Sequence, residues 1–92
     1  MTPLEPPMIA TPQQTGMILD VAAVGIYDPA GADTLYLRAT NGARYQLPEQ
    51  LRDWATTVIG GNLHAVAAGH PSAFPCRIEF GILDGRMYAE ML

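Results

Sequence analysis

Lysine is absent from this 92-residue chain, and cysteine occurs once. With Cys76 alone, no internal disulfide can form. The five cationic side chains are all arginine (Arg38, Arg44, Arg52, Arg77 and Arg86) against nine acids, for a net charge of −4. A sequence pI near 4.8 disfavours general affinity for a phosphate backbone, which rests on cationic charge, so nucleic acid is a weak candidate partner. It suits solubility, or a basic partner surface. Long apolar runs are missing. None reaches the length of a membrane span or a signal core, and no basic residue precedes Arg38. The expected setting is the cytoplasm, away from membranes. Phosphate-binding glycine loops are missing too, because Gly60-Gly61 follows a helical pattern and phosphate cradles precede one. No catalytic, metal or cofactor motif rises above background, and no cofactor is expected.

What is present is apolar bulk. Hydrophobic residues make up 49% of the chain and charged residues 15%, against a typical charged fraction of ~25%. A chain this short buries only about 60–65% of the surface that its unfolded form exposes. More apolar surface is on offer than one small core hides. The expected outlet is a second copy, giving a homodimer, or a standing protein partner.

Residues 1–15 hold Pro3, Pro6, Pro7 and Pro12, which deny a helix its donors and push their neighbours to extended forms. This segment reads as a flexible arm ahead of a single domain over residues 16–92. In the alternative reading it docks on a partner or a second subunit through Leu4, Met8 and Ile9.

Two dipeptides, Asn41-Gly42 and Asp84-Gly85, mark hairpins, because tight turns need φ > 0 and these residues tolerate it. Register can be tested against face polarity. A two-residue turn at Asn41-Gly42 would put Arg38 opposite Tyr45 and leave both faces mixed. A three-residue loop, Thr40-Asn41-Gly42, pairs Leu37 with Tyr45 and Leu35 with Leu47, giving one apolar face. The other face then sets Arg38 against Arg44 and Tyr36 against Gln46. Asp84-Gly85 instead fits a two-residue turn. Ile82 pairs with Met87, Phe80 with Ala89 and Ile78 with Met91 on one side, with Glu79 facing Glu90 on the other.

Upstream, residues 16–27 read as a strand, residues 28–33 as a turn and residues 34–39 as a second strand. Pro48 suits a first helical position, and Leu47, Leu51, Trp54, Ala55, Val58 and Ile59 form a narrow apolar stripe. Gly60-Gly61 reads as the helix stop. Residues 62–69 then suggest a second short helix, capped by Asn62, or a short strand. The predicted fold is α+β: an antiparallel sheet of about five strands in βββ-α-ββ order, with one main helix on one face.

Three constellations could carry chemistry. His64, His70 and Cys76 are six apart, outside the usual two-to-four spacing of metal ligands, and Cys76 falls on the core side of its strand. Glu79 and Glu90 could form an acid/base pair, unless Arg77 and Arg86 neutralise them diagonally. Arg38 opposite Arg44 is the sharpest oddity, since opposed like charges destabilise a sheet. With Tyr36 and Gln46 they form a candidate partner- or anion-binding face, unless Asp20 sits between them.

The expected function is therefore a non-enzymatic protein-binding or accessory module that acts by occupying a macromolecular partner's surface. Small acidic domains of this kind occur among inhibitors of bacteriophage or bacterial origin. The alternatives are a small enzyme or anion-binding domain using the Arg38/Arg44/Tyr36 face or His64/His70, and, more weakly, nucleic-acid binding through the same arginines.

Overall fold

A computed structural model describes residues 1–27 and 33–92. The turn expected at residues 28–33 lies almost wholly outside the described residues. Among the described residues seven strands run in chain order: β1 (Thr2–Pro3), β2 (Met8–Ile9), β3 (Met17–Tyr27), β4 (Thr34–Ala39), β5 (Arg44–Gln46), β6 (Cys76–Leu83) and β7 (Arg86–Met91). Between β5 and β6 a 3-10 turn (Glu49–Leu51) leads into helix α1 (Arg52–Ala67). Across the sheet the order is β1-β5-β4-β3-β6, with β7 on the far side of β6.

Both expected hairpin registers are present. Arg38 faces Arg44, Leu37 faces Tyr45 and Tyr36 faces Gln46, with Gly42 at φ +90 closing the three-residue loop. The Asn41 side chain holds that loop by accepting from the Ala43 N–H at 2.9 Å. Asp84 and Gly85 both have positive φ, as a two-residue type I′ turn requires, and Ile82 faces Met87. One face of each hairpin therefore points inward. Val21, Leu37, Leu51, Ile78 and Phe80 are the large side chains sealed from solvent there. Trp54 of α1 stands edge-on against Phe80 with ring centroids 5.9 Å apart. β3 carries a bulge at Ala22: Val21 pairs with Ala39 but Ala23 with Arg38. The slip resets the alternation, so Val21 and Val24 both face the core.

The sheet differs from expectation in being mixed, not purely antiparallel. The difference comes from residues 1–15, read from sequence as a loose arm. Thr2–Pro3 pair in parallel with Tyr45–Gln46, and Met8–Ile9 with Ile82–Leu83. Leu4 enters the core at 4% exposure, and its N–H donates to the Gln46 carbonyl at 2.8 Å. Met8, the second expected anchor, points to solvent at 81% exposure.

The helix is also corrected. Pro48 is the N-cap of the 3-10 turn and Leu51 that of α1, so Pro48 is not the first helical residue, and Gly60-Gly61 does not end the helix. α1 runs on to Ala67, where Gly69 (φ +89) takes the left-handed stop; its N–H bonds the Val66 carbonyl at 3.0 Å and the His70 N–H bonds Ala65 at 2.9 Å. Asn62, expected as a second N-cap, instead ties down the following loop: its side-chain oxygen accepts from the Ala73 N–H at 2.8 Å. These contacts lie beyond the glycine pair and hold the helix across it.

A Cβ at Gly60 or Gly61 would meet nothing within 4 Å. Replacing both with alanine is expected to stabilise the fold by about 1 kcal/mol per site, seen as a higher urea midpoint. A lower midpoint would mean that the helix breaks at the pair.

Candidate functional site

The sheet face away from α1 carries the polar residues of both hairpins. At one end stand Arg38 and Arg44, both exposed, with Tyr36 and Gln46 beside them. The four residues expected to form a site are thus neighbours on one surface. Ala23 lies across from Arg38, and Gly25 across from Tyr36. Gly25 has a reason to be glycine: a Cβ there would sit 2.9–3.0 Å from the Tyr36 ring, which lies over it. This leaves Tyr36 flat against the sheet. A cavity of about 390 Å³ opens here, lined by Met1, Tyr27, Tyr36 and Arg44.

The expected acidic neighbour is elsewhere. Asp20 pairs with Arg77, its register partner on β6, at 3.3 Å. Arg52 pairs with Glu49 at 2.5 Å. Arg38, Arg44 and Arg86 have no ion pair among the described residues. Among the described residues the Arg38–Arg44 end therefore keeps two cations side by side with no ion-paired counter-charge, while the polar tyrosine and glutamine flank them.

At the other end of the same face, Glu79 and Glu90 oppose each other. Diagonal neutralisation by Arg77 does not occur, because Arg77 turns to Asp20. Glu79 instead accepts from the Tyr88 hydroxyl and from the Gly16 N–H, the latter at 3.2 Å. The Tyr88 bond, then the Gly16 bond, hold its carboxyl below the ordinary glutamate range. The same bond raises the Tyr88 hydroxyl. Tyr88 lies over Gly81, its register partner, much as Tyr36 lies over Gly25. This tyrosine–glycine pairing, absent from the sequence reading, has a sequence signal: each tyrosine falls opposite a glycine once the hairpin register is set.

His64 lies in the last turn of α1 and His70 just past its end, both exposed. Cys76 begins β6, packed beside the core, and desolvation pushes its thiol up. Among the described residues no three His, Cys, Asp or Glu side chains gather as a metal-holding group. No helix among them is long and apolar enough to cross a membrane. No family model, no curated protein and no solved structure matches the chain.

Proposed function

We propose that the protein is a non-enzymatic binding module whose Arg38–Arg44 end covers an acidic surface of a protein partner. The observation behind this reading is the pair of directly opposed, exposed arginines, neither in an ion pair among the described residues. Opposed like charges cost stability on a sheet, and a partner carboxylate would remove that cost. Arginine's fork can grip a carboxylate through two parallel bonds, and the flat Tyr36 ring adds apolar contact area. Occupying a surface needs no catalytic group, which fits an accessory or inhibitor role for a small acidic domain of bacteriophage or bacterial origin. A small anionic ligand is the second reading, favoured by the 390 Å³ cavity beside Arg44.

The test is binding of a labelled oligoglutamate peptide, compared with a labelled oligothymidylate, at two salt concentrations. The peptide is expected to bind the wild-type chain and to lose at least tenfold in affinity with the double variant Arg38→Glu/Arg44→Glu. Unchanged peptide binding in that variant sinks the reading. Tighter binding of the oligonucleotide, falling steeply with salt, would transfer the face to nucleic acid.

A further inference from the structure

The two edges of the sheet are treated differently. On one side β5 is covered by β1, a strand of two residues whose Pro3 has no N–H to offer. On the other side β7 pairs only with β6 among the described residues. The Leu92 N–H donates to the Arg77 carbonyl at 2.9 Å, which fixes the phase of the ladder. In an antiparallel pair bonding alternates along the strand. Arg86, Tyr88, Glu90 and Leu92 therefore turn their backbone groups toward β6, and Met87, Ala89 and Met91 turn theirs outward. An open edge of this kind is a template for another strand.

We propose that β7 is a dimerisation edge, where two copies of the chain pair antiparallel about a two-fold axis at Tyr88. The side chains on the outer face select the occupant. Arg86 and Glu90 are both exposed, and neither has an ion pair among the described residues. They lie four residues apart on one strand, roughly 13 Å at strand rise, and cannot meet within a chain. Across a two-fold axis at Tyr88, Arg86 of each copy comes opposite Glu90 of the other, twice. In the same register Met87 comes opposite Ala89 of the other copy, and both present outward N–H and C=O groups, so the ladder bonds also match. Tyr88 leans over Gly81, away from the open edge, so the two rings do not block the axis. Flanking the edge, a groove of about 250 Å³ between α1 and Met91, lined by Val58 and Ala65, supplies apolar surface next to the joint. This interface leaves the Arg38–Arg44 end free and does not draw on its proposed role.

The experiment is sedimentation velocity on the full chain from low to high micromolar concentration. Wild type is expected to be a dimer. Arg86→Glu and Glu90→Arg, alone, each put like charges opposite one another and weaken association by about 10- to 100-fold. Mixing the two variants restores a dimer, because each then meets its complement, and the double variant Arg86→Glu/Glu90→Arg restores one by itself. Restoration on mixing also shows that both single variants fold. A wild type that stays monomeric at high micromolar concentration overturns the proposal, as do single variants that dimerise like wild type.

Discussion

Replacing Phe80 with alanine is expected to lower the unfolding free energy by about 3–5 kcal/mol. Phe80 is sealed from solvent, and it sits where β3, β6, β7 and α1 converge. Its backbone faces Met17 on one side and Ala89 on the other, and its ring takes the edge of Trp54. Truncation removes that aromatic contact and leaves a cavity that rigid strands on both flanks cannot close. A small domain has only about 5–15 kcal/mol in hand, so the variant should unfold at markedly lower urea. A loss below about 1 kcal/mol would show that the helix does not rest on this residue.

Leu4→Ala is expected to cost about 2–4 kcal/mol. The number is large for a residue so near the start of a proline-rich segment. Leu4 is 4% exposed and packs in the same cluster as Leu35, Leu47 and Ile78. Its backbone bond to Gln46 aligns it there. Met8→Ala serves as the internal control, because Met8 is exposed and should change stability by less than about 0.5 kcal/mol. Urea denaturation of the two variants decides whether the arm is part of the fold. If both are equally silent, the segment is a tail.

These two residues also mark what the sequence could and could not reveal. Phe80 was legible, because the alternation over residues 76–91 has a single register that sorts apolar from polar. The Thr40-Asn41-Gly42 loop was legible for the same reason, and with it the Arg38–Arg44 opposition. Leu4 was not. Two-residue parallel pairings leave no periodicity, and composition alone reads prolines as disorder. Gly60-Gly61 misled because glycine's cost of about 1 kcal/mol per helical site is local. The Gly69 stop and the Asn62–Ala73 bond that outweigh it are set by tertiary structure. At the candidate site, the residues were legible and the counter-charges were not. The pattern left Asp20 as a candidate between Arg38 and Arg44, and only the β3–β6 register assigns it to Arg77.

The parallel seams of β1 and β2 bear on how the chain reaches this structure. Met8 pairs with Ile82, and Thr2 with Tyr45. The hairpins need only neighbouring residues and can close early, whereas these seams join distant parts of the chain and form slowly. Met8 and Ile9 have no strand to pair with until residues 82 and 83 are in place. The β2–β6 seam joins residues further apart in the chain than the β3–β6 or β1–β5 seams do, so this part of the arm is expected to lock into place late. A chain caught before that step would expose the apolar slot meant for Leu4 as well as unpaired strand, and so would be more prone to stick to its neighbours than the finished fold.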